Sequence, residues 1–123
     1  MEMNKVGKLQ YLKPQLSGQT VVAGFTTRHE GVSRPPYNSL NLGTNTLDSP
    51  HNVEGNRSLL ARAFGTTLDH FLKLECDGIV TNQPGLMIAI CVADCVPVLL
   101  HDPVKGVIAA LHAGWQAAVK RVL

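Results

Sequence analysis

Cys95 and His112 are the two side chains best placed by type and spacing to do chemistry together. Cys95 sits in Ala93-Asp94-Cys95-Val96-Pro97, and His112 opens His112-Ala113-Gly114-Trp115. A thiolate and an imidazole can share a metal ion. Alternatively, the imidazole can take the thiol's proton and release a nucleophile. The residues between them predict that they meet. Val98-Leu99-Leu100 and Val107-Ile108-Ala109-Ala110-Leu111 are apolar runs, and Asp102-Pro103-Val104-Lys105-Gly106 between them is a turn signal. A hairpin that pairs His101 with Gly106 sets His112 opposite Cys95. Directly opposed side chains on one sheet face have Cβ atoms about 4.5–5.5 Å apart. A slip of one residue would send the two groups to opposite faces.

The groups around this pair have local readings of their own. Asp94 can accept a hydrogen bond from a ring nitrogen and so orient a ligand, or bond its own backbone as a turn residue. Gly114 permits a tight corner after the strand, and Trp115 either walls a pocket or packs in a core. Arg57 is either a solvated, ion-paired side chain or a planar clamp for phosphate or carboxylate, and Asn41 carries the same two readings. His29, His51, His70 and His101 have no metal-ligand spacing to one another and are expected at the surface. Cys91 and Cys95 are about 13 Å apart on an extended strand, too far to form a disulfide or share a metal unless the strand bends sharply between them. No Gly-rich phosphate loop, nucleophile-elbow serine or carboxylate-pair motif is present.

The elements that must position these groups follow from pattern. Thr20 to Thr27 is rich in β-branched residues and predicts a strand. Arg28 to Asn52 reads as a long loop punctuated by Gly31, Pro35, Pro36, Gly43 and Pro50, of a length usually either functional or disordered. The apolar–polar alternation of Tyr37 to Gly43 suggests specific packing rather than disorder. Asn52 to Phe64 predicts a helix, capped by Asn52, with Glu54 in its first turn, ended at Gly65 and striped by Val53, Leu59, Leu60, Ala63 and Phe64. Asp77 to Thr81 predicts a short strand, and Asn82-Gln83-Pro84-Gly85 a type II turn. Leu86 to Val92 predicts a strand buried on both faces, and Gln116 to Leu123 the start of a helix.

Composition sets the class. A chain of 123 residues suits one small domain spanning 1–123. With 45% hydrophobic and 16% charged residues it can form a core. A net charge of +2 without a Lys/Arg cluster argues against nucleic-acid or acidic-membrane partners. Met1 to Lys8 lacks the apolar stretch of a secretory signal. The longest apolar run, Leu86 to Ala93, is too short for a bilayer. Three cysteines without a framework argue against a secreted disulfide scaffold. The expected location is cytoplasmic.

Six motifs occur in one order: Gly24-Phe25-Thr26-Thr27-Arg28, Ser39-Leu40-Asn41-Leu42-Gly43, Asn56-Arg57, Asp77-Gly78-Ile79-Val80-Thr81, Ala93-Asp94-Cys95-Val96-Pro97 and His112-Ala113-Gly114-Trp115. From about residue 20 to the end, this set resembles the laccase-domain family of purine nucleoside phosphorylases, also labelled polyphenol oxidase or peptidoglycan-editing factor. The resemblance implies an α/β (α+β) fold: an α-β-β-α layered sandwich of the YfiH-like, toxin-deamidase type, incomplete here. It implies zinc, with copper reported for some members, held by two histidines and one cysteine. It implies phosphorolysis of adenosine, inosine and methylthioadenosine, and deamination of adenosine. By motif match, Cys95 and His112 are catalytic and metal-binding, while Arg57 and Asn41 lie near the substrate.

The sequence departs from the family pattern twice. A Gln-Val-His-Gly-like segment that carries the third metal ligand is absent, because Leu72-Lys73-Leu74 runs directly into Glu75-Cys76-Asp77. Gln116-Ala117-Ala118 replaces the usual Arg/Lys-Gly-Thr, and family chains continue well beyond this length. Three readings follow: a nucleoside-processing metalloenzyme with impaired activity, a metal-free Cys–His hydrolase or amidase, and a non-catalytic fragment. Missing segments would leave sheet edges uncovered and favour self-association.

Overall fold

The fold is given by a computed structural model that describes residues 1–16, 20–74 and 76–120. It is a mixed helix-and-strand protein divided into two compact units, Met1–Leu68 and Asp69–Leu123. Among the described residues, no helix is long and apolar enough to cross a membrane.

The first unit opens with a hairpin, β1 (Glu2–Val6) and β2 (Leu9–Lys13), turned at Gly7 with φ +59°. Its pattern is mostly exposed, so no apolar alternation announces it in the sequence. β3 is only Phe25–Thr26, pairing with Leu12 and Tyr11. The strand expected from Thr20 to Thr27 is therefore mostly irregular. A side chain at Gly24 would come within 2.5 Å of Tyr11 Cδ2, so the chain there passes against an aromatic ring.

A long irregular segment leads to helix α1 (Pro50–Ala63). The cap is Ser49 rather than Asn52, because Pro50 takes the first helical position, where its missing N–H costs nothing. Glu54 accordingly falls beyond the first turn. Gly65, at φ +77°, follows the helix end as expected. α1 buries Val53, Asn56, Leu60 and Ala61. Its buried stripe thus runs through a polar residue. Phe64 packs edge-on against Tyr11 with ring centres 5.0 Å apart.

The second unit holds two sheets. β4 (Phe71–Lys73) pairs in parallel with β6 (Met87–Ala89). The run expected to be a doubly buried strand from Leu86 to Val92 is thus shorter and half-buried, with Cys91 and Val92 exposed. Among the described residues β6 has one strand neighbour, which protects only one of its edges. β5 (Gly78–Thr81), β7 (Val96–Asp102) and β8 (Val107–Ala113) form an antiparallel sheet in the order β5-β8-β7. Between β5 and β6, Gly85 at φ +78° after Pro84 suits the expected turn. A short helix α2 (Trp115–Val119) follows β8, and the remainder of the helix expected over 116–123 lies partly outside the described residues.

The β7–β8 hairpin forms, but its register is shifted by two. Asp102 pairs with Val107 and Pro97 with His112. Gly106, at φ +64°, belongs to the turn and not to the ladder. Asp102 Oδ1 accepts from the Val104 and Lys105 amides at 2.9 and 3.0 Å, closing a four-residue loop. A shift of two preserves the face that each side chain occupies, since strand side chains alternate with period two.

Candidate functional site

In the second unit, β8 delivers His112 and the bend before β7 delivers Cys95. The two do not face each other across a rung, because Pro97 occupies that place. They meet at Gly114. A Cβ on Gly114 would lie 3.4 Å from Cys95 Sγ, 3.4 Å from His112 Cε1 and 3.6 Å from His112 Nε2. The missing side chain thus leaves a gap lined by the thiol and the imidazole.

The carboxylate beside His112 is Asp77, not Asp94. Asp77 Oδ1 lies 3.5 Å from His112 Nδ1. The His112 amide also donates to the Asp77 carbonyl at 2.7 Å. Asp94 instead accepts from Cys95 Sγ at 3.7 Å. The expected ring-orienting role of Asp94 is corrected on this geometry. In the sequence Asp77 is marked only as part of a motif, because its effect depends on β5 pairing with β8.

Partial burial pushes the Cys95 thiol above its ordinary pKa, and the Asp94 charge and its acceptor oxygen push the same way. These causes all favour the protonated thiol. Cys76 also carries a free thiol, with Sγ 3.2 Å from the Gly78 carbonyl.

The remaining expected groups lie as follows. Trp115 is 75% exposed, so it neither packs in a core nor walls a buried pocket. His29, His51 and His70 are exposed. His101 departs from the surface expectation: it is half-buried, and its Nδ1 is buried without a hydrogen-bond partner.

Arg57 and Asn41 lie in the first unit, bound to one loop. Arg57 Nε and Nη2 both donate to the Leu42 carbonyl, at 3.1 and 2.9 Å. Asn41 Nδ2 donates to Thr46 Oγ1 and Asp48 Oδ2, each at 3.0 Å, and its Oδ1 accepts from the Gly43 amide. Beside them, Asn56 is fully buried. Its Oδ1 accepts from the Val32 amide at 2.8 Å, and its Nδ2 donates to Ser33 Oγ and the Asn41 carbonyl, each at 2.9 Å. Asp48 joins the same network by accepting from Ser33 Oγ at 2.6 Å and from Asn52 Nδ2 at 3.2 Å. Its carboxyl is held below the usual range, chiefly by the Ser33 hydroxyl. Partial burial opposes this, while Asn41, Asn52 and the Ser49 amide reinforce it. The backbone also closes tightly: a Cβ on Gly31 would overlap the Ser39 carbonyl oxygen at 2.1 Å. Asn56 and Asp48 were not singled out as loop organisers from sequence, since periodicity does not mark a buried polar residue.

A thiolate and an imidazole are donors that suit zinc or copper, and the Gly114 gap gives them common access. Among the described residues, however, no group of three His, Cys, Asp or Glu side chains is close enough together to hold a metal ion. A catalytic zinc ordinarily takes three protein ligands and keeps one position open. The described donors therefore do not complete such a site.

The family described as multi-copper polyphenol oxidoreductase laccase matches residues 22–75 and 69–123. The sequence is 34% identical over 134 residues to purine nucleoside phosphorylase YlmD of Bacillus subtilis, covering 86% of this chain and 48% of that protein. It is 44% identical over 115 residues to a purine nucleoside phosphorylase of Deinococcus radiodurans, covering 80% and 45%. The chain thus spans about half the length of the curated relatives it matches. The Bacillus alignment is longer than the 123 residues available, so it includes gaps in this chain. Among solved structures, YlmD from Geobacillus stearothermophilus superposes with a TM-score of 0.84 at 27% identity, covering 93% of this chain and 53% of that one. A Bacillus licheniformis protein titled YfiH gives 0.75 at 32% identity, covering 77% and 46%.

Proposed function

The chain belongs to the multi-copper polyphenol oxidoreductase laccase family, and from that membership we propose that it is of purine nucleoside phosphorylase type, retaining two of the three metal donors. The observation that supports this reading is the meeting of Cys95 and His112 at Gly114. The relatives named purine nucleoside phosphorylase supply the substrate class, a purine nucleoside and phosphate. Adenosine, inosine and methylthioadenosine are the proposed nucleosides, with adenosine deamination as a second reaction. Zinc is the proposed cation, and copper the alternative.

No reaction step is assigned to the metal, because two donors do not hold a catalytic cation firmly. The chain's own residues do the following. Asp77 and the β5–β8 ladder hold His112, whose Nε2 borders the gap. Cys95 contributes its sulfur from the other side. The substrate roles of Arg57 and Asn41 rest on motif position. Their hydrogen bonds go to residues 42–48, so we assign them the task of fixing a substrate loop.

A metal-free thiol enzyme would need His112 to take the Cys95 proton, and partial burial and the Asp94 charge make that proton harder to remove. The incomplete donor set favours a second reading, a non-catalytic remnant.

Calorimetric zinc titration and chromatography of inosine incubated with phosphate test the proposal. Zinc binding weaker than micromolar, with slow phosphate-dependent hypoxanthine release that Cys95→Ser abolishes, is the expected result. Stoichiometric binding tighter than micromolar would overturn the incomplete site. Absence of release at saturating zinc would leave the remnant as the correct reading.

A further inference from the structure

We propose that Asp77 is the positioning residue of His112: it keeps the imidazole proton on Nδ1 and leaves the Nε2 lone pair facing the gap shared with Cys95. The two residues touch twice. The His112 amide donates to the Asp77 carbonyl at 2.7 Å, just beyond the Gly78–Leu111 rung. The Asp77 carboxylate stands 3.5 Å from His112 Nδ1. His112 Cε1 and Nε2 lie 3.4 and 3.6 Å from where a Gly114 Cβ would stand, and Cys95 Sγ lies 3.4 Å from the same point. One ring nitrogen is thus near a carboxylate and the other near the gap.

A neutral imidazole carries one N–H, and the partner of one nitrogen decides the state of the other. An ionised carboxylate only accepts hydrogen bonds. A proton on Nδ1 is therefore attracted to Asp77, whereas a proton on Nε2 would leave a lone pair facing the carboxylate. The separation is longer than a formed hydrogen bond, and the side chains of His112 and Asp77 are 30% and 57% exposed. Water screening keeps the bias moderate. Asp94 is engaged with the Cys95 thiol. The same tautomer serves a ring that binds a cation and one that accepts a proton.

Long-range 1H–15N spectra of the labelled full chain, recorded where His112 is neutral, read the tautomer directly. The wild type is expected to hold mainly Nδ1–H. Asp77→Ala should lower the ratio of Nδ1–H to Nε2–H by about threefold. Asp77→Asn, which keeps a side-chain carbonyl, should restore part of it. The Asp77 carbonyl that accepts from the His112 amide is a backbone atom, so slow exchange of that amide verifies strand pairing in every variant. A wild type dominated by Nε2–H overturns the proposal. So does an unchanged ratio in Asp77→Ala with the amide still protected. If Asp77→Ala loses that protection, the comparison of wild type with Asp77→Asn decides, and equal ratios overturn it.

Discussion

Pro97 stands directly opposite His112 in the β7–β8 ladder. Proline has no N–H to give a ladder, and β7 lies at a sheet edge, where this is tolerated. Cys95 precedes Pro97 by two residues, so it sits diagonal to His112, and both border the Gly114 position. The space between sulfur and imidazole depends on that glycine having no side chain.

Gly114→Ala should fold normally and close the gap. Gly114 has φ −78° and ψ 168°, which alanine adopts without strain. The added Cβ would sit in ordinary contact with Cys95 Sγ and His112 Cε1. Zinc affinity measured by calorimetry should fall at least about tenfold, the effect of losing roughly 1.4 kcal/mol of binding. Unchanged affinity would show that the cation binds elsewhere.

The Cys95 thiol should alkylate slowly at neutral pH in the presence of a chelator. Burial and Asp94 both hold its proton, so the rate should reach half-maximum above the ordinary thiol value. Asp94→Asn removes the charge and should move that midpoint down. Site-resolved mass spectrometry separates Cys95 from Cys76 and Cys91. A midpoint below the ordinary value would restore the case for a metal-free nucleophile.

What was legible in the sequence was local. Asp102 to Gly106 announces a turn, and two apolar runs announce its strands. The rung that closes the hairpin was not legible, because it depends on Gly106 adopting a positive φ inside the loop. Cys95 no longer stands opposite His112; the two remain near one another, at Gly114, because the error was an even number of residues. Asp77 could not be placed beside His112 without the non-local pairing of β5 with β8. The parallel partnership of β4 and β6 has the same long-range origin. Asn56 shows the limit of apolar periodicity, since a fully buried amide breaks the helical stripe.

Asn56→Ala should destabilise the first unit by about 2–4 kcal/mol, the range for stranding several buried polar groups. The Val32 amide, Ser33 hydroxyl and Asn41 carbonyl all lose their Asn56 partner. A urea titration followed by exchange of the Val32 amide reads the loss. A change under about 0.5 kcal/mol, typical of surface sites, would mean that water replaces the amide freely.

Val80, Ala109 and Leu100 form one row across the β5-β8-β7 sheet. Val80 and Leu100 are 65% and 53% exposed, and Val96 on the same face is 61% exposed. An apolar face left open to water favours association. The double change Val80→Thr and Leu100→Thr keeps strand-compatible residues and should raise the monomer fraction in sedimentation velocity. An unaltered distribution would assign any self-association to another surface.

Acid should weaken the first unit through Asp48. Its folded-state pKa lies below the ordinary value, with the Ser33 hydroxyl as the largest cause. The ionised form therefore binds the loop better than the protonated form does. That stabilisation is fully present above about pH 3.9, the unfolded value, and is lost as pH falls through the lowered folded value. In Asp48→Asn it is absent throughout. The difference in urea midpoint between wild type and variant should thus shrink as pH falls from about 5 to about 2. A difference that stays constant over that range would show that the Asp48 contacts with Ser33, Asn41 and Asn52 do not depend on its charge.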